Sequence, residues 1–157
     1  MKILVTIILI LTVSAATAQY SSTDTLKYCL NREYVGVGGF DPVSYFKSDK
    51  PVAGSTSISA HHDGVEYRFA SQGDKLEFIN NPLKYLPQFG GWCSMTLVMG
   101  RATTPKYDNF TIQAGKLYLF ERTLSVNGRE LWLKDIKGNE EIAVKNYNSY
   151  KSTGRIQ

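Results

Sequence analysis

The sequence predicts an α+β fold: one small domain in which two β-hairpins, in one mixed or antiparallel sheet, are packed by several short helices. Three observations carry this expectation. Val65 to Ala70 alternates apolar and polar residues directly after an Asp63-Gly64 turn, as a half-buried hairpin strand does. Phe110 to Gln113 and Lys116 to Glu121 flank Ala114-Gly115 in the same way. Between and beyond these hairpins lie segments with helix caps and apolar residues at helical spacing.

In chain order, Gln19 to Thr25 is polar and expected to fray. Gly36, Gly38 and Gly39 mark backbone that needs positive φ. Asp41 followed by Pro42 is an N-cap with proline at the first helical position, so a short helix is expected, with Val43 and Phe46 inward. Lys47 to Gly54 reads as a loop, Ser57 to His61 as a strand and His62-Asp63-Gly64 as its turn. Ser71, with Asp74 three residues on, starts a helix in which Leu76, Ile79 and Leu83 share a face, and Pro82 breaks it. Trp92 to Met99 is expected to be helical up to Gly100, and Arg101 to Asn109 irregular. Thr123 to Ile136 carries two signals. Asn127-Gly128 suits a hairpin turn, whereas Leu131, Trp132, Leu133 and Ile136 suit a helix face, and mainly helix is expected. Asn139 then caps a last helix carrying Ala143, Tyr147 and Tyr150. No internal repeat, low-complexity run or linker is expected, so residues 36–150 form one domain behind an extension, 19–35.

Residues 1–18 read as a secretory signal: Lys2, an apolar run from Ile3 to Val13, and the small-x-small site Ala16-Thr17-Ala18. The run is shorter than the roughly 20 residues that span a bilayer. A periplasmic or secreted chain is expected, with no stable membrane insertion after cleavage. About 139 residues remain, enough for one domain with a real core. The formal charge of +4 is scattered along the chain and not gathered into a stripe, which argues against a nucleic-acid partner. Cys29 and Cys93 are the only cysteines. An oxidising compartment admits a bridge between them; a free thiol and a metal ligand are the other readings.

Cys93 follows Gly90-Gly91-Trp92 at the start of an expected helix, where unpaired N–H groups and the helix dipole favour a thiolate. A thiolate is a soft-metal ligand and a nucleophile; a buried small hydrophobe is the plain alternative. Met95 and Met99 lie one helical turn apart and offer two thioethers. Such donors select copper(I) over zinc, although methionine also simply fills cores. His61 and His62 are the only histidines, and as strand neighbours they point to opposite faces, so they would rarely bind one ion together. No Asp or Asn is placed to orient a Cys–His pair, so a catalytic role is not expected. Asn109-Phe110-Thr111 is a glycosylation sequon.

The run of His61 or His62, Gly64, Tyr67, Phe69, Ser71, Phe78, Pro82, Lys84 and Tyr85 resembles the YHS domain family. Its flanks extend the likeness. Gly39-Phe40-Asp41-Pro42-Val43-Ser44-Tyr45-Phe46, Gly90-Gly91-Trp92-Cys93, Leu117-Tyr118-Leu119 and Trp132-Leu133-Lys134-Asp135-Ile136 with Gly138-Asn139 resemble segments of the small exported bacterial members, so the likeness runs from 36 to 145. The resemblance implies transition-metal handling. The cysteine-rich site of the pump-linked members does not carry over, because Phe69-Ala70-Ser71 stands where they have Phe-Cys-Ser and no Cys-x-x-Cys precedes the hairpin. The first expectation is therefore a non-enzymatic exported protein that binds or delivers a transition metal. Copper(I) is favoured, held by Cys93 with Met95, Met99, His61 or His62. A metal-free module for a small ligand or protein partner is the second expectation, and a thiol redox protein using Cys93 the third.

Overall fold

The computed structural model describes residues 22–156; the expected signal segment lies outside the described residues. Helix α1 (Ser22–Lys27) stands where frayed chain was expected. It is held by Trp92 Nε1, which donates to the Leu26 carbonyl (3.0 Å), and by the Tyr147 hydroxyl on the Lys27 carbonyl (2.9 Å). The Lys27 ammonium and the Tyr28 hydroxyl meet on the Asp63 carboxylate.

The first half of the fold opens with a 3-10 turn at Gly36–Gly39 and a second at Ser44–Phe46. Asp41 does not start an α-helix. Its carboxylate is buried and accepts the Val43 N–H and the Ala70 N–H, both at 2.8 Å, tying the turn to the end of the following hairpin. That hairpin is β1 (Ser55–His62) and β2 (Val65–Phe69), antiparallel. Its two-residue turn has Asp63 at φ 49° and Gly64 at φ 80°, the left-handed pair that matches strand twist. Helix α2 (Gln72–Asn80) starts on Ser71, whose hydroxyl accepts the Asp74 N–H at 3.0 Å, and α3 (Pro82–Tyr85) follows. The inward residue of α2 is Phe78, packed on Tyr67 and Phe69 at 5.1 and 5.2 Å. Leu76, Ile79 and Leu83, expected on the packed face, are exposed by 59, 52 and 75 %. The hairpin offers one large apolar face, and Phe78 takes it.

The second half opens with a 3-10 turn at Gln88–Gly91 and helix α4 (Ser94–Val98), with Cys93 as its N-cap. Strand β3 (Lys106–Gln113) begins inside the stretch expected to be irregular and pairs with β4 (Lys116–Phe120). The two hairpins form separate two-stranded sheets, so no single sheet unites them. Asn127-Gly128 is a helix start, not a hairpin turn: Asn127 Oδ1 accepts the Arg129 N–H at 3.1 Å and opens α5 (Gly128–Trp132). The last helix, α6 (Ile136–Thr153), is capped by Asp135, which accepts the Gly138 N–H at 3.0 Å. Asn139, expected as the cap, lies inside the helix and donates to the Trp132 carbonyl at 3.1 Å.

The two halves are two copies of one unit, 35–86 and 87–139, contrary to the expectation of no repeat. Val37 and Gly38 (φ, ψ of 53°, 29° and 62°, 15°) match Phe89 and Gly90 (55°, 33° and 61°, 17°). In the hairpins, Ser55 pairs with Phe69 and the register slips before Ser59–Arg68; Lys106 pairs with Phe120 and slips before Phe110–Leu119. The aromatic trio Tyr67, Phe69 and Phe78 recurs as Tyr118, Phe120 and Trp132. Asn81 (−151°, 70°) and Asp135 (−153°, 78°) break the helical path in the same unusual conformation. The sequence trace of this doubling is short: Gly-Gly-aromatic at 38–40 and 90–92, and Gly-x-x-Tyr-x-Phe at 64–69 and 115–120.

Each unit has its own core, and β4 joins them. Tyr118 and Phe120 point into the second core with Phe89, Trp132 and Ala143, while Leu117 and Leu119 point into the first. Burial of both faces explains why β4 is apolar almost throughout, unlike β2, whose outer face carries Glu66 and Arg68.

Candidate functional site

Cys93 is completely buried, and its Sγ accepts two backbone N–H groups, from Thr96 (3.4 Å) and Glu121 (3.1 Å). It occupies the position that Asp41 holds in the first unit. There the acceptor is a carboxylate and the second donor is Ala70, the residue after β2, as Glu121 is the residue after β4. The surroundings repeat as well. Ser44 Oγ donates to the Asp41 carbonyl (2.6 Å) and Thr96 Oγ1 to the Cys93 carbonyl (3.1 Å). The Asp41 N–H donates to Val52 (2.8 Å) and the Cys93 N–H to Thr103 (3.0 Å). In both units one buried acceptor clasps the turn segment to the end of the hairpin.

The sequence-predicted donor residues divide between the units. Met95, about nine-tenths buried, and Met99, exposed, line one cleft together. Cys93 lies in the same core as Met95 but does not line that cleft. His61 is exposed on β1, and His62 packs edge-on against Phe78 at 6.2 Å in the first unit. Among the described residues no group of three or more His, Cys, Asp or Glu side chains is placed to hold a metal ion. Cys29 and Cys93 are both free thiols, so the disulfide considered for them is not formed. Burial pushes the Cys29 thiol above its ordinary pKa, which disfavours its thiolate. The Asn109 sequon is buried too, its amide donating to Asn127 Oδ1 (2.9 Å) and the Glu121 carbonyl (3.3 Å), and is closed to glycosylation in the folded chain.

The cleft has a volume of about 240 Å³ and lies between α4, α5 and the chain that follows β4. The equivalent junction of the first unit is bridged by charged side chains. In the first unit, Lys47 Nζ pairs with Asp74 (2.7 Å) and with Glu77, and Glu77 also receives the Tyr85 hydroxyl (3.1 Å). This network lies across the junction between the second 3-10 turn and α2. The corresponding positions of the second unit are Met99 for Lys47, Gly128 for Asp74 and Leu131 for Glu77. No ion pair can form there, and the junction stays open. Gly128 is needed at its floor, since a Cβ there would lie 2.9 Å from the Glu121 carbonyl oxygen and 3.3 Å from Met95 Cβ.

Polar groups complete the lining. Glu121 is half-buried, and its carboxylate receives the Thr103 hydroxyl at 2.9 Å; Thr96 Oγ1, 2.9 Å from Thr103 Oγ1, gives its single proton either to that oxygen or to the Cys93 carbonyl. Arg122 pairs with Asp108 at 2.7 Å. Arg101 also lines the cleft, and neither it nor Glu121 takes part in an ion pair among the described residues. An apolar cleft with a few placed polar groups suits a small organic ligand. Thr96, Arg101, Glu121, Gly128 and Leu131 belong to no local motif. Only alignment of the two units, through the repeated Gly-Gly-aromatic and Gly-x-x-Tyr-x-Phe signals, would have exposed them.

No family model matches this chain, and no match was found among curated proteins or solved structures.

Proposed function

We propose that this chain is an exported binding protein of YHS type, without catalytic chemistry of its own, whose ligand seat is the cleft between α4 and α5. One observation carries the reading. Where the first unit is closed by Lys47 with Asp74 and Glu77, the second has Met99, Gly128 and Leu131 around an open cleft with apolar walls. Two copies of one scaffold differ at the same junction: charged side chains bridge it in the first, and a cleft with apolar walls lies there in the second. The leader-like first 18 residues support export, and the resemblance over residues 36–145 supports a binding role.

The direct test installs the first unit's closure in the second. Met99→Lys combined with Leu131→Glu is expected to weaken binding of an apolar fluorescent probe, an anilinonaphthalene sulfonate, by at least about tenfold. The far-ultraviolet circular dichroism should stay unchanged. Equal probe binding by parent and variant would overturn the reading.

Copper(I) is the second reading, favoured by one observation: the Met95 and Met99 thioethers line the same cleft. It expects copper uptake by the parent protein that Met95→Leu and Met99→Leu together abolish. A parent protein that takes up no copper from supplemented medium excludes it.

A further inference from the structure

We infer that Cys93 is a positioning residue for the cleft: its sulfur ties together two of the segments that line it, so that filling the cleft and keeping the clasp closed are one equilibrium. This rests on the cleft being the ligand seat.

The ties carry the inference. Cys93 does not itself line the cleft, yet both N–H groups on its sulfur belong to residues that do, Thr96 on α4 (3.4 Å) and Glu121 after β4 (3.1 Å). Glu121 extends the tie to the third wall, because its carbonyl accepts the N–H of Gly128 at the start of α5 (3.0 Å). One buried atom therefore fixes the placement of α4 against the chain after β4 and, through that chain, against α5. Walls held in place before a ligand arrives lower the ordering cost of binding. By linkage, a ligand that needs the walls in that placement holds the clasp shut.

The first unit shows what the choice of sulfur changes. There the Asp41 carboxylate draws the Ala70 N–H to 2.8 Å, whereas the Glu121 N–H, at the matching position, stays 3.1 Å from Cys93 Sγ. Sulfur is a weaker acceptor than a carboxylate oxygen. The second unit's clasp is the looser of the two, and so the more readily shifted by a ligand.

Cys29 supplies the contrast. It is nearly as buried as Cys93, but its Sγ meets Thr104 Oγ1 (3.7 Å) and its N–H the Gly90 carbonyl (2.9 Å), and neither partner lines the cleft.

Alkylation of the native chain tests the inference. Iodoacetamide modification of Cys93 and of Cys29 is followed separately by peptide mass, with and without the anilinonaphthalene probe. At about ten times its Kd the probe should slow Cys93 about tenfold, and Cys29 by less than about twofold. An unchanged Cys93 rate, or equal slowing of both thiols as global stabilisation would give, overturns the inference. In a second arm, Cys93→Ala is expected to weaken the probe about fivefold or more, and Cys93→Ser, which keeps an acceptor, to recover most of that affinity. Cys29→Ala should leave it unchanged. An alanine variant that binds the probe as the parent does overturns the inference as well. Should that variant fail to fold, alkylation of the parent still decides. If Met99→Lys with Leu131→Glu shuts the probe out while neither effect at Cys93 is seen, the cleft stands and only the coupling falls. If the probe does not bind the parent, both fall.

Discussion

Cys93→Ala separates a structural clasp from a functional thiol. In the folded protein the sulfur takes the N–H groups of Thr96 and Glu121 at 3.4 and 3.1 Å, at a site with no solvent exposure. Alanine removes that acceptor and leaves both donors to find others. A buried donor left unpaired costs about 1–3 kcal/mol, and sulfur is a weak acceptor, so the low end applies to each. The missing sulfur adds a small void worth about 1 kcal/mol. The expected loss is about 2–4 kcal/mol, a large fraction of the 5–15 kcal/mol typical of a domain. With a urea slope of about 2 kcal/mol per molar, the unfolding midpoint should fall by about 1–2 M. Cys93→Ser keeps an acceptor at an N-cap, where serine is favoured, and should recover at least half of the loss. Urea melts followed by tryptophan fluorescence measure both variants. A midpoint for Cys93→Ala within error of the parent, or a serine variant no better than alanine, would refute the clasp.

Three other outcomes follow from the same geometry. Phe78→Ala should destabilise by about 3–5 kcal/mol, since its ring joins Tyr67 and Phe69 in the core, whereas Leu76→Ser and Leu83→Ser should each stay within about 0.5 kcal/mol in the same melts. Gly90→Ala puts a Cβ into the Lys27 carbonyl at a residue with φ 61°, so α1 should undock and limited proteolysis should cut near Tyr28 much faster than in the parent. Bonds from Lys116 Nζ first, and from the Tyr118 hydroxyl, hold the Glu140 carboxyl below its ordinary value of 4.5. The folded pKa is the lower one, so this stabilisation is present above that ordinary value and is lost as pH falls through the depressed one. The stability difference between parent and Lys116→Gln should accordingly be largest near neutrality and vanish in acid, as melts across pH would show.

Local signals read well where the chemistry is local. The Asp63-Gly64 turn, the Ser71 cap, the alternation of Val65, Tyr67 and Phe69, and the stop at Gly100 depend on neighbours in sequence, and the structure has each. Errors arose where two local motifs competed or where a partner came from afar. Asn127-Gly128 satisfies both a hairpin turn and a helix cap, and the Asn109 amide, bonded to Asn127 Oδ1 at 2.9 Å from across the fold, accompanies the cap. Leu76, Ile79 and Leu83 make a plausible apolar stripe, but α2 is set by where Phe78 meets the hairpin.

By itself the sequence determined the α+β class, the two hairpins and a helix starting about Cys93. It singled out Cys93, Met95 and Met99, but as one donor set. Tertiary structure decided that the cysteine faces two backbone donors while the methionines border a cleft. It also revealed the doubling, because the two units share backbone conformation and hydrogen-bond topology far more than residue identity. The same clasp can be built from aspartate or from cysteine: what the backbone N–H groups require is a buried acceptor at that point, and either side chain provides one.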